Sequence, residues 1–288
     1  KRNIDETRVA YGVQTGKQVS YETYSVVNSP STSSLTPTNP TVADLRILDP
    51  NVLAPTSTQQ QQIRNVYGFD TKLNIDRYNL DGTVRDYVVG VRELDAANLT
   101  GTQTNWINQH TNYTHGYGFV AAPGNGVDSD GRPSFIEDNI PVSGSLGDFQ
   151  PRVYFGEGET SFSVVGAPAG STPREYDYPT NGGNGQQYTT YTGGGGVPIG
   201  STFTRLEYAL RFGDKNLLLS DGINSASRIL YDRDPRQRVA KVAPYLTLDG
   251  DPYSAVVDGR LVWIVDGYTT SDGFPYAERE NLNSITQD

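Results

Sequence analysis

Two histidines, His110 and His115, sit five residues apart in "NQHTNYTHGYGFVAAP", and the chain has no others. An imidazole that titrates near neutrality can serve as general base, proton shuttle or metal ligand. If the segment were one helix, five residues would set the rings about 140° apart around its axis, a poor pair for one ion. Zinc sites favour helical histidines three or four apart with a third ligand. If His115 instead begins a strand, the two rings could converge. The plainer alternative has both bonding backbone groups at a helix-to-strand corner, and the residue types favour it. His110 and His115 stay as candidate catalytic groups.

Carboxylates at alternating positions form a second set: Asp128 and Asp130 in "VDSDGR", Asp232 and Asp234 in "YDRDPR", Asp249 and Asp251 in "LDGDPY". Calcium takes such oxygens, but an EF-hand loop needs further acidic positions, and Arg132 stands fifth when Asp128 is counted as the first. Asp-Gly and Asp-Pro equally well make turns. Asp249, Asp251, Asp232 and Asp234 are the candidate ligands for a divalent cation such as calcium, the first two being favoured by a neighbouring predicted hairpin. Glycoside hydrolysis needs two carboxyl groups held about 5 Å or 6.5–9.5 Å apart. Asp249 and Asp266 could supply them, with Asp251 and Asp258 nearby, although any Asp-rich β protein meets that description. No GxSxG string is present, and "GGNGQ" and "TGGGGVPIG" neither follow a clear strand nor open a clear helix.

The elements that must hold these groups are short. "NIDETRVAYG" predicts a helix capped by Asn3 or Asp5 and stopped at Gly12, and residues 28–41, rich in Ser, Thr and Pro, read as a linker. "PTSTQQQQIRNVYGF" predicts a helix presenting Ile63, Val66 and Tyr67, and "TQTNWINQHT" another. Hairpins are expected over Asp81-Gly82 and over Asp258-Gly259, the second with continuous apolar strands that imply a central, buried position. "STFTRLEYALRFG" puts Phe203, Leu206, Ala209 and Leu210 at helical spacing, and Asp234-Pro235 caps a further helix. Residues 124–201 are loop-dominated, with strands at "PRVYFGE" and "SFSVVGAP". The sum is α+β, with antiparallel hairpins, short helices and long Gly/Pro-rich loops. The expected division is 1–27 as a helical segment, 28–41 as linker and 42–288 as the main domain, with two subdomains around 124–201 an option.

Composition removes several classes. With 33 acidic against 23 basic residues and a net charge of −10, a nucleic-acid surface is not expected. No cysteine is present, which excludes disulfides and thiolate chemistry. The chain has no methionine and no apolar leader, and is read as a piece of a longer protein. The most apolar run, "SAVVDGRLVWIVDGY", is interrupted by Asp258, Arg260 and Asp266, whereas a membrane span needs roughly 20 apolar residues.

Long strings then resemble a known family. "DLRILDPNVLAPTSTQQQQIRNVYGF", "DYVVGVRELD", "TNWINQHTNYTHGYGFVAAP", "PRVYFGE", "PREYDYP", "GGVPIG" and "ILYDRDPRQRVAKVAPYLTLDGDPYSAVVDGRLVWIVDGYTT" are similar, in order, to the UPF0182 family of uncharacterised bacterial membrane proteins. "GNGVDSDGRPSFIEDN" matches nothing familiar and reads as a variable loop. The resemblance implies an amino-terminal block of membrane helices upstream, with this fragment on the extracytoplasmic side and 1–27 just past the membrane. It implies no activity and no catalytic residue. The expected role is an interaction or assembly module at the cell envelope, its partners other segments of the same protein, envelope proteins or glycans. Such a module should expose a Tyr-rich apolar patch. A hydrolase or ligand-processing enzyme acting on envelope material is the alternative.

Overall fold

The computed structural model describes residues 2–13, 45–61, 65–180, 185–271, 273 and 276, and the chain divides into two units, Lys1–Ala43 and Asp44–Asp288. The first contains helix α1 (Arg2–Ala10), which closes at Gly12 as its sequence predicts. The linker expected over 28–41 lies outside the described residues.

In the second unit, helix α2 (Pro50–Gln61) starts earlier than the apolar spacing predicts. Asp49-Pro50 sets the start: an Asp49 carboxylate oxygen accepts from Asn51 N at 2.9 Å, and Pro50 has no N–H to satisfy. Of the three residues expected on one helical face, Ile63 lies outside the described residues, Val66 sits in a turn, and Tyr67 opens strand β1 (Tyr67–Gly68). The residues α2 buries are Pro50, Ala54, Ser57 and Gln61.

Strands β2 (Asn74–Leu80) and β3 (Thr83–Val91) form the expected hairpin. Asp81 and Gly82 turn it, both at positive φ as a type I′ turn requires. Strand β4 (Glu93–Leu94) returns to pair with β1. The single helix expected over 102–111 is instead a 3-10 turn, Gly101–Thr104, and a π turn, Asn108–Asn112. Side chains of Asn and Thr compete for the backbone here: Asn105 accepts from Asn108 N at 2.8 Å, and the Asn108 amide donates to Thr102 O at 2.8 Å.

Next come β5 (Gly116–Tyr117), β6 (Phe119–Pro123), β7 (Glu137–Asp138), β8 (Ser143–Gly144), β9 (Arg152–Val153) and β10 (Ser163–Val165). A hairpin that the sequence did not signal follows, β11 (Glu175–Thr180) with β12 (Gly185–Thr189), and then the short β13 (Val197–Pro198). Helix α3 (Thr202–Phe212) has Ser201 as cap and Gly213 as stop. Helix α4 (Asn216–Leu219) and strand β14 (Arg228–Leu230) lead to helix α5 (Pro235–Val242), capped by Asp234 through Gln237 N at 3.1 Å. The last strands are β15 (Thr247–Leu248), β16 (Tyr253–Val257), β17 (Arg260–Ile264) and β18 (Gly267–Tyr268).

The main sheet is antiparallel in the order β2-β3-β6-β7-β8. Both of its faces are covered, which explains the unbroken apolar end of β3. Val89, Val91, Phe119 and Ala121 pack with Val256, Leu261 and Trp263 on one face; Val88 and Ala122 pack with Leu48, Ala54 and Leu73 on the other. The β16–β17 hairpin turns at Asp258-Gly259 as expected, yet it is not a central pair. It is a two-stranded sheet laid on the larger one, with Ser254 and Ala255 its buried residues. An apolar run reports burial without saying whether sheet neighbours or face-to-face packing provide it.

Helix α3 carries a second correction. Tyr208, Ala209 and Phe212 seat it against Val164, Ile199, Leu217 and Ile229. Phe203, Leu206 and Leu210 point away, 72%, 43% and 76% exposed. The helix is therefore apolar on two opposite sides. The expected Tyr-rich surface is Phe and Leu here, because many tyrosines are inside: Tyr67, Tyr87, Tyr113, Tyr117 and Tyr176 are buried, and the Tyr67 hydroxyl donates to Asp177 O at 2.6 Å.

Candidate functional site

The two histidines belong to separate networks. His110 Nδ1 lies 2.8 Å from Phe162 O, its ring stacked on Phe162 with centroids 4.1 Å apart. His115 is buried and bonded by side chains, not backbone: Nδ1 meets Thr114 Oγ1 at 2.9 Å, and Nε2 faces Asp177 Oδ1 at 3.4 Å. Burial depresses both imidazoles; for His115 the Asp177 carboxylate opposes that shift. Burial would raise Asp177, but hydrogen bonds from His115 and Arg152 outweigh it and hold the carboxyl low. Arg152 grips both Asp177 oxygens at 2.7 Å. Glu175 alongside accepts four hydrogen bonds, from Thr114 and Tyr154 hydroxyls and from the N–H groups of Gly166 and Tyr191. This cluster ties β5, β9 and β11 together.

The paired aspartates do not converge. Asp234 caps α5, and Asp232 meets Lys241 Nζ at 2.6 Å. Asp249 accepts from Asp251 N at 3.1 Å and from the Tyr268 hydroxyl at 3.0 Å, while Asp251 pairs with Lys72 at 2.6 Å. Asp266 is exposed and joins Asp249 through a main-chain bond, Asp249 N to Asp266 O, at 2.8 Å. Among the described residues no three His, Asp or Glu side chains gather where an ion could sit. Asp128 closes its own turn, accepting from Asp130 N and Arg132 N.

A cleft of about 520 Å³ lies elsewhere. Phe69, Asp70, Glu93, Leu94, Asp95 and Glu157 are among its walls. Neither histidine lines it. Its floor depends on the string Gly156-Glu157-Gly158-Glu159, folded onto the end of β4. Glu93 accepts from Glu157 N at 3.2 Å and from Gly158 N. A Cβ on Gly156 would stand 2.5 Å from Glu93 Oε2, and one on Gly158 2.9 Å, so a side chain at either position would push the Glu93 carboxylate off its two N–H donors. Glu159 turns the other way and pairs with Arg233 at 2.6 Å, both side chains fully buried. Arg233 also donates to the carbonyls of Tyr154 and Thr114 and to Ser163 Oγ. It pins this loop to β10 and the approach to β5.

Electrostatics set the cleft apart. Burial pushes Glu93 up to about 7, against the pull of its two N–H donors. Burial, then the charges of Asp70, Glu93, Asp234 and Asp251, push Glu157 up to about 8. A carboxyl that holds its proton near neutral pH can act as a general acid. Glu93, Glu157, Glu159, Arg233, Glu175 and Asp177 were not among the sequence candidates. Glu157 and Glu159 stand in "GEGE", where glycines alternating with acids let the backbone pass close to a buried group; nothing beside Glu93 in the sequence marked it.

A family model described as "Uncharacterised protein family (UPF0182)" matches residues 1–288. The chain belongs to the UPF0182 family. A UPF0182 protein of Arthrobacter sp. (strain FB24) is 49% identical over the whole chain, which covers 29% of that protein. One of Frankia alni is 52% identical and one of Bifidobacterium longum 49%, the chain again covered fully and 28% and 27% of those proteins matched. The chain thus spans under a third of the length of the UPF0182 relatives it matches. No solved structure matches. Among the described residues no helix is long and apolar enough to cross a membrane.

Proposed function

We propose that this chain is an interaction and assembly module in the extracytoplasmic region of a bacterial cell-envelope membrane protein, docking other segments of the same polypeptide. Helix α3 carries the reading. A helix with apolar side chains on two opposite sides leaves one of them to be covered, and Phe203, Leu206 and Leu210 have no cover among the described residues. UPF0182 relatives more than three times as long have polypeptide to provide it. Envelope proteins and glycans are the competing occupants.

Single cysteines test place and docking together, because the chain has none of its own. In the full-length protein, with any cysteine elsewhere replaced, Asp130→Cys should react with a membrane-impermeant maleimide on intact cells. Leu210→Cys should react only after denaturation. Labelling of Asp130→Cys that requires lysis overturns the location, and equal labelling of both positions in intact cells overturns the docking.

One observation favours a second reading, a hydrolase or ligand-processing enzyme acting on envelope material: Glu157 lines a cleft with a proton available near neutral pH. Incubation with cell-wall polysaccharide should then release reducing ends. No release, or equal release by the Glu157→Gln variant, removes this reading.

A further inference from the structure

Among the described elements, helix α5 is the strongly basic one in an acidic chain. Its eight residues include Arg236, Arg238 and Lys241 and no acid, against a net charge of −10 for the whole. Arg236 is used inward, donating to Asp249 O at 2.8 Å. Arg238 and Lys241 border a groove of about 490 Å³ between α5 and the edge formed by β13 and β14. The groove's walls are apolar, with Phe155, Val197, Leu230 and Val239 among them, and Val242 stands at its rim 81% exposed.

Charge in the groove is unbalanced by one. Its charged lining is Arg238, Lys241 and Asp232. Lys241 is matched by the Asp232 carboxylate at 2.6 Å. Arg238 lies over the Phe155 ring, 4.6 Å from its centroid, and donates to the Asp232 main-chain oxygen at 3.2 Å. A guanidinium has five N–H donors in a planar fork suited to a carboxylate. The site thus offers apolar walls and a place for one negative charge.

The sheet edge narrows the occupant further. Strand β13 is the outer strand of the sheet β10-β14-β13. Pro198 has no N–H, and the carbonyls of Gly194, Gly195 and Gly196 accept from Arg228 at 3.1, 2.7 and 2.7 Å. An extended peptide would find little main-chain ladder to join. A ligand that needs only apolar contact and one charge is not so limited.

We propose that the groove between α5 and β13 binds a monomeric amphiphile of the acyl-carboxylate class, its chain on Phe155, Leu230 and Val239 and its carboxylate on Arg238. This site is separate from the outer face of α3 and does not rest on the role argued for that face. Dodecanoate below its micelle concentration, titrated calorimetrically into the chain, should bind at least roughly tenfold more tightly than dodecanol or dodecyltrimethylammonium. Arg238→Gln should remove that preference. Val242→Asp, at a side chain already in water, should repel the anion without disturbing the fold. Equal binding of the three amphiphiles overturns the charge requirement, and unchanged dodecanoate affinity in Val242→Asp overturns the place. Co-sedimentation with phosphatidylglycerol vesicles without dodecanoate binding assigns the surface to a bilayer and overturns the proposal as well.

Discussion

Arg233 illustrates how a single side chain can set the cost of a whole region. Its guanidinium and the Glu159 carboxylate are both removed from water and sit 2.6 Å apart. Losing one partner strands the other charge. Arg233→Met should therefore destabilise the chain by about 3–5 kcal/mol in urea unfolding, with much of the loss regained when Glu159→Gln is added. Glu93 and Glu157 make a different demand. Raised to about 7 and about 8, they keep protons in the folded chain that the unfolded chain releases near its ordinary glutamate value. That stability is present at low pH and lost as pH rises through the raised values. His110 and His115, depressed by burial, act with the opposite sign below about 6.5, where the unfolded chain takes up protons first. Between about pH 6.5 and 8.5 the glutamates should dominate, and the melting temperature should fall as pH rises. Glu157→Gln should flatten that slope; an unchanged slope would exclude Glu157 as a holder of the proton.

Among the elements, α2 and α5 start alike, with Asp-Pro at the cap and first position. Asp234 serves α5 through Gln237 N and the Gln237 amide. Asp234→Ala should cost about 1 kcal/mol. Lost capping should show as faster hydrogen exchange in the first turn of α5, with the β3–β6 ladder unaffected. The same helix carries the chain's densest positive charge, so fraying its start would also loosen the wall of the adjacent groove. Helix α3 is the contrasting case. Its inner side packs with Tyr208 and Phe212, its outer side with nothing described, and so one helix serves both the core and a surface.

At the scale of the whole molecule, β3 is the axis of the larger unit. It pairs with β2 and β6, and its two faces are covered by α2 and by the β16–β17 hairpin. Native-state hydrogen exchange should find the slowest amides in Val88–Val91 and Val120–Ala122, where ladder bonds and two-sided burial coincide. Exchange there as fast as in the exposed Asp81 turn would show that the sheet is not the cooperative unit. The acid-lined cleft and the basic groove are separate places on this framework. The first uses the junction of β4 with the Gly156–Glu159 loop, the second the open side of α5.

Local chemistry was legible in the sequence. Asp81-Gly82 and Asp258-Gly259 turn hairpins, Gly213 closes α3, and Asp234-Pro235 opens α5, because each signal acts on backbone only a few residues away. Long strings placed the chain in its family. Partnership between distant segments was not legible: Arg233 meets Glu159, His115 meets Asp177, and Glu93 meets Gly158 across 74, 62 and 65 positions. Spacing in the chain carries no information about such meetings. Nor did the apolar stripe of α3 disclose its direction. Phe203 and Leu210 have the period of a core face, and only the packing of Tyr208 and Phe212 decided that they look outward. Sequence determines which backbone shapes are cheap; the tertiary structure decides which buried charges face each other, since that depends on how far-separated segments close around a shared core.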